Sequence, residues 1–293
     1  MKPPPFQYHD PKSVEEAITI LRSHSNAKLL AGGQSLMPMM NMRYVQPDHV
    51  VDLNKIESLS YIREEKHAIR IGAMTRQREL EFSPLIRERL PMMHEALMAV
   101  GHRQTRNRGT IGGSLCHLDP AAELPAVAMA YDALIEVSGA GSTREIAMAE
   151  FSAFYMTPAI ESDEIVTGLR FTPWPKGHGS AFVEFARRNG DFALASVGAL
   201  IELEGATVRR ASITVGGLSH KPIRVTDAEN VLTSEPMSDD MLRKVADACG
   251  TIEATADIHG SAAYRQRVAR TLAFRAISTA YGRAIAFRSG RPA

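Results

Sequence analysis

The sequence predicts an α+β protein of three modules, with a ligand cleft between the first two. Three features of the chain point there. Short apolar runs with strand character, at 28–31, 49–53, 68–74 and 164–171, alternate with helical apolar stripes. Two glycine pairs, Gly32-Gly33 and Gly112-Gly113, each lie next to a serine at the end of such an element. The stretch Thr172-Pro173-Trp174-Pro175-Lys176-Gly177-His178-Gly179 has two prolines and two glycines in eight residues and reads as a linker. A further boundary near Lys55 gives modules at 1–55, 56–175 and 176–293.

In the first module, Ser13 caps a helix whose stripe is Val14, Ala17, Ile18 and Leu21. A strand at 28–31 runs into Gly32-Gly33. Leu36, Met37, Pro38, Met39 and Met40 then suggest a short helix with its methionines in the core. The second module opens with strands at 61–65 and 68–74. Thr75 and Ser83-Pro84 offer helix starts, and Pro91 separates two short helices. Asp119 reads as an N-cap with Pro120 at the first helical position. Strands at 134–137 and 144–148 flank the turn Gly139-Ala140-Gly141, and 164–171 closes the module. In the third module, 195–204 and 207–216 form a hairpin turning at Gly205. Helices near 227–232, 239–255 and 261–287 follow. The last is expected to bury Tyr264, Val268, Leu272, Ile277, Tyr281 and Ile285, leaving its arginines outside.

The two glycine pairs carry the chemistry. Residues without Cβ let a ligand approach the backbone, and convergent N–H groups bind anions. Ala31-Gly32-Gly33-Gln34-Ser35 and Thr110-Ile111-Gly112-Gly113-Ser114 are therefore expected to hold the two phosphates of a dinucleotide, with Ser35, Thr110 and Ser114 adding hydroxyls. No lysine follows either pair as in a P-loop, and there is no G-x-G-x-x-G of a Rossmann fold. Glu123 is either a first-turn acid favoured by the helix dipole or an acceptor for the ribose or adenine end. Phe192, at a probable strand start, reads as a core aromatic.

Composition removes other classes. A net charge of +1 over 293 residues offers no basic field for nucleic acid. No apolar run reaches the roughly 20 residues of a membrane span. The start, MKPPPFQYHDP, lacks the apolar segment of a signal peptide, so a cytoplasmic location is expected. Two cysteines, Cys116 and Cys249, are too few for an iron–sulfur cluster. The histidines show no metal-ligand spacing, and no acid–base residue or metal site is expected in the chain.

AGGQSL at 31–36 and TIGGSLCHLDPAAELP at 110–125 resemble the FAD-binding medium subunit of the molybdenum hydroxylases, the family of carbon monoxide dehydrogenase and of the flavin segment of xanthine dehydrogenase. RRNGDFA at 187–193 and HGSAAYR at 259–265 extend the resemblance over essentially the whole chain. It implies a two-subdomain flavin fold of the p-cresol methylhydroxylase type plus a small C-terminal domain of antiparallel sheet and helices. It also implies noncovalent FAD in this chain, an iron–sulfur small subunit and a molybdopterin large subunit as partners, and a dimer of heterotrimers. The acid of the motif falls on Glu123. An aromatic near the isoalloxazine falls on Phe192, where relatives often have tyrosine, and relatives often carry lysine in place of Glu184. Two other readings stay open, a self-contained flavin reductase or oxidase of the same fold, and a nucleotide-binding assembly module. Asp257 to Arg265 and the arginine side of the last helix are the expected docking surface.

Overall fold

A three-stranded parallel sheet organises the first module of this computed structural model, which describes residues 1–234 and 236–290. β1 (Gln7–His9) and β2 (Ala27–Leu30) flank the central β3 (His49–Asp52). Parallel neighbours need crossovers, which run through α1 (Val14–Ser23) and α2 (Leu36–Asn41). Ser13 Oγ accepts from the Glu16 N–H at 3.1 Å and caps α1 as expected. Ala17, Ile18 and Leu21 pack with Val51, Leu53, Ile56 and Leu59. Of the α2 methionines only Met40 is fully buried; Met39 lines the cleft described below.

Strands β4 (Ile62–Glu65) and β5 (Ala68–Gly72) open the second module. Six short helices follow: α3 (Gln77–Phe82), α4 (Pro84–Arg89), α5 (Pro91–Ala99), α6 (Arg103–Arg108), α7 (Ile111–His117) and α8 (Glu123–Ala130). Then come β6 (Leu134–Gly139), β7 (Ser142–Ala147), α9 (Met148–Phe151), β8 (Ser152–Phe154), β9 (Thr157–Pro158) and β10 (Ile165–Phe171). The main sheet runs β4-β5-β10-β6-β7, so the last strand closes its centre. Every residue of α8 is buried, as its unbroken apolar run requires. Proline begins both α4 and α5. Two expected helix starts are corrected. The fully buried Thr75 donates to the Tyr61 carbonyl at 2.9 Å instead of capping α3, which begins at Gln77. Asp119 accepts from the Ala121 N–H at 2.8 Å and forms a local turn, and α8 begins only at Glu123.

In the third module, β11 (Gly179–Phe185), β12 (Ala195–Glu204), β13 (Thr207–Gly216) and β14 (Ile223–Arg224) form an antiparallel sheet. Gly205, at φ +64°, turns the β12–β13 hairpin. Helices α10 (Thr226–Ser234), α11 (Asp239–Gly250) and α12 (Ala262–Arg288) cover one face. The expected buried stripe of α12 is corrected. Its inner face is Arg265, Ala269, Leu272, Ala273, Ala276, Ile277, Ala280 and Ala284, while Tyr264 and Val268 are only partly buried. Small residues bring this helix onto the sheet backbone: a Cβ at Gly179 would lie 1.7 Å from the Ala280 carbonyl oxygen. Glu95 on α5 joins this module to the second by accepting from the Phe182 N–H at 3.1 Å and from Arg283 at 2.5 Å.

Candidate functional site

A cleft of about 1320 Å³ opens where the three modules meet. That exceeds the roughly 300–1,000 Å³ typical of pockets for drug-sized ligands and suits a long, two-ended one. Both glycine segments line it, together with Glu123, Phe192 and Asp257. The cleft is therefore not confined to the first two modules: the third supplies one wall.

The first segment lies at the carboxyl end of β2, and Gly33 takes φ +74°, a conformation glycine adopts without strain. Among the described residues, the backbone N–H groups of Gly32, Gly33, Gln34 and Ser35 have no partner within the chain. Four consecutive free donors beside a cleft form an anion-binding concavity.

The second segment differs from expectation. It is the first turn of α7, not a loop, and its amides are already engaged. Ile111 N–H donates to the Thr75 carbonyl at 3.1 Å and Gly112 N–H to the Ala73 carbonyl at 2.8 Å. Gly113 N–H donates to the Thr110 hydroxyl at 3.0 Å and Ser114 N–H to the Thr110 carbonyl at 3.1 Å. Ile111 is core and does not line the cleft. The glycines here serve close packing between elements. A Cβ on Gly112 would lie 2.7 Å from the Ala73 carbonyl oxygen, and one on Gly32 would lie 2.3 Å from that of Arg108. What α7 offers the cleft is the Thr110 and Ser114 hydroxyls and the positive end of a short helix.

Glu123 is buried at the start of α8, and burial, assisted by the nearby Glu184, pushes its carboxyl up to about 8. Burial raises Glu184 to about 7. Glu123 is thus held largely protonated near neutral pH and can donate as well as accept, while Glu184 lies near its midpoint. Phe192 is 70% exposed on the cleft wall, so its reading as core is excluded. Burial holds the His117 ring below its ordinary value against the pull of Asp119, and it pushes the Cys116 thiol up to about 12. Neither resembles an activated acid–base group or nucleophile.

Lys28, which no sequence motif marked, and Arg187, the first residue of the RRNGDFA stretch, also line the cleft. Arg106 braces the approach from behind. Its buried guanidinium pairs with Glu81 at 2.9 Å and donates to the Val100 carbonyl at 2.9 Å. Arg265 was an expected docking residue, but it is 6% exposed. It donates to the carbonyls of Leu194 and Gly217, each at 2.9 Å, and pairs with Asp257 at 2.7 Å. Arg270 is tied to Asp247 on α11.

Residues 4–174 match the family described as the FAD binding domain in molybdopterin dehydrogenase, and residues 180–280 match the CO dehydrogenase flavoprotein C-terminal domain. The chain belongs to the flavoprotein family of the molybdenum hydroxylases. Among curated relatives, the 6-hydroxypseudooxynicotine dehydrogenase complex subunit alpha of Paenarthrobacter nicotinovorans is 39% identical over 287 residues, covering 97% of each chain. Among solved structures, a carbon monoxide dehydrogenase chain from Hydrogenophaga pseudoflava superposes with a TM-score of 0.94 at 36% identity, covering 97% of this chain and 99% of that one. A quinoline 2-oxidoreductase chain from Pseudomonas putida 86 gives 0.93 at 29% identity, with 97% and 100% covered. The fold is accordingly an FAD-binding domain followed by the flavoprotein C-terminal domain.

The residues of this flavoprotein suit FAD. Free amides at 32–35 meet a phosphate's need for donors, and buried Glu123 suits hydroxyl groups. Exposed Phe192 offers a flat face. Gly32→Ala, forcing the first loop off the Arg108 carbonyl, is expected to cost about 1–3 kcal/mol and weaken FAD binding at least about tenfold. Gly113→Ala crowds only the movable Thr110 hydroxyl, at 2.8 Å, with Ala31 Cβ in ordinary contact at 3.4 Å, and should cost about 1 kcal/mol through the lost cap. Thermal melts and equilibrium dialysis with FAD separate the two; equal effects would mean the loop-to-loop contact does not shape the site.

Proposed function

We propose that this chain is the noncovalent FAD-binding, electron-transfer subunit of a cytoplasmic molybdenum hydroxylase complex. The observation that carries the reading is the run of free amides at Gly32, Gly33, Gln34 and Ser35 facing the Thr110–Ser114 turn across one cleft. Here Ala31 to Ser35 cradle the diphosphate through backbone donors, and Thr110 and Ser114 add hydroxyl contacts beside Gly112 and Gly113. Glu123 binds the ribose or adenine end, and Phe192 lies against the isoalloxazine. Ile111 anchors the α7 turn from the core rather than touching the cofactor. When bound, FAD supplies the redox chemistry, taking electrons from iron–sulfur clusters of a small partner subunit and passing them to an external acceptor. The chain positions and shields the cofactor, while a large molybdopterin subunit carries the substrate site. A dimer of heterotrimers is the assembly proposed.

The proposed docking surface keeps the expected stretch but not its buried end: Arg265 is engaged within the chain, whereas Ile258 is 93% exposed beside the cleft mouth and Arg267 and Arg275 are exposed on the last helix. Among the described residues no helix is long and apolar enough to cross a membrane.

The purified chain reconstituted with FAD should show a flavin spectrum that disappears on denaturation with release of free FAD. In the assembled complex, substrate should bleach it only when both partner subunits are present. Failure to retain FAD would refute the reading. Turnover by the lone chain would favour a self-contained flavin enzyme, and FAD that no partner reduces would favour an assembly module.

A further inference from the structure

We propose that His9, His24 and His49 form a binding site for one late first-row divalent metal ion, of which zinc is the representative. The three rings come from separate elements: the last residue of β1, the C-cap of α1 and the first residue of β3. Their ligand nitrogens nevertheless all lie within 4.8 Å of one another. His9 Nε2 and His49 Nδ1 are 3.0 Å apart, sharing a hydrogen bond. The His24 and His49 rings stack at 3.8 Å with 21° between their planes, and the His9 ring lies 5.3 Å and 5.2 Å from those two. Each ring is half-buried, so the cluster is open to ions in solution.

The chemistry of this donor set is selective. Neutral imidazoles suit zinc, copper and nickel, whereas magnesium and calcium require oxygen ligands. With zinc–nitrogen bonds of about 2.0–2.1 Å, nitrogens around a tetrahedral ion lie roughly 3.4 Å apart. The observed cluster spans that value, so side-chain rotation alone can complete the site: His9 and His49 open slightly and His24 turns out of its stack. The neighbouring acids are engaged elsewhere. Asp10 pairs with Lys55, and Asp48 accepts from Asn26 Nδ2 at 2.9 Å. Three imidazoles and a solvent molecule are therefore the coordination set. None of the three histidines lines the cleft, which separates this site from the cofactor. An ion there would tie the end of α1 to β1 and β3. The site was invisible in the sequence because His9, His24 and His49 have no motif spacing; parallel pairing of β1 with β3, placing Gln7 opposite His49, brings them together.

The untagged full chain, stripped with a chelator, is titrated with zinc against a chromophoric competitor, alongside His24→Asn and His49→Asn. The wild type should bind one zinc with an affinity in the micromolar range or tighter, and each variant should lose at least about tenfold. Zinc X-ray absorption of the wild type should report three imidazole nitrogens at about 2.0–2.1 Å. Zinc should raise the melting temperature of the wild type and not of the variants, while magnesium changes none of them. His24→Asn replaces a partly exposed helix cap, and unchanged circular dichroism and FAD content would certify its fold. Zinc bound only at millimolar levels, equal affinity in His24→Asn and wild type, or a spectrum without imidazole scattering would overturn the site.

Discussion

Replacing Arg265 by methionine should destabilise the protein by about 3–5 kcal/mol and strip it of most of its FAD. Methionine preserves the packing of the aliphatic stem but removes every donor. The Leu194 and Gly217 carbonyls, each held at 2.9 Å by the guanidinium, are then left without this partner in a buried setting. An unsatisfied buried acceptor costs about 1–3 kcal/mol, and two account for most of the loss. The ion pair with Asp257 adds little, because that carboxylate is 45% exposed and water replaces the partner. The link to the site is geometric. Leu194 follows Phe192 on the cleft wall, and the Gly217 N–H donates to the Pro120 carbonyl at 2.8 Å, beside the Asp119 turn. Releasing both carbonyls frees the wall that faces Glu123. For a domain of this size the melting temperature should fall by roughly 10 °C or more. Arg265→Lys, with one compact ammonium at its tip instead of a planar fork, should recover only part of the loss. A methionine variant within about 1 kcal/mol of wild type and carrying full FAD would remove the clamp role.

The FAD-free protein should lose stability as pH rises from about 5 to 9, and Glu123→Gln should abolish much of that loss. The sign follows from the direction of the shift. Burial first, and Glu184 second, raise the Glu123 carboxyl from an ordinary 4.5 to about 8. The folded state therefore holds a proton that the unfolded chain has released. This contribution is fully present below about pH 4.5 and is lost progressively up to about pH 8. A shift of this size corresponds to a few kcal/mol, an upper bound that local relaxation reduces. Glu184, raised to about 7 by burial, acts with the same sign, so Glu123→Gln should flatten the pH profile without levelling it. Urea unfolding of the FAD-free wild type and variant at several pH values measures the difference. Parallel profiles would show that Glu123 ionises normally in the fold.

Much of the architecture was legible because it rests on local chemistry. Ser13 and Ser83 cap helices, Pro84 and Pro91 begin them, and Gly205 turns a hairpin. The glycine segments and Glu123 were likewise marked by residue type and order, and they do line one cleft. The α12 face was legible only in part: Leu272 and Ile277 are buried as their spacing implies, but the rest of the inner face is mostly alanine. There the helix approaches the sheet backbone at Gly179, and alanine, not tyrosine, fits the gap.

By itself the sequence determined the α+β class, the order of the elements, the two glycine turns and the family, since capping, turn formation and motif spacing act within a few residues of chain. Only the tertiary structure decided which groups are free to act. It engaged the Ile111 to Ser114 amides inside the protein and left those of Gly32 to Ser35 open. It buried Arg265 as a clamp while exposing Phe192, and it gathered His9, His24 and His49 from three elements. Those outcomes depend on burial and on contacts between residues far apart in the chain, and no local pattern encodes the distance between them.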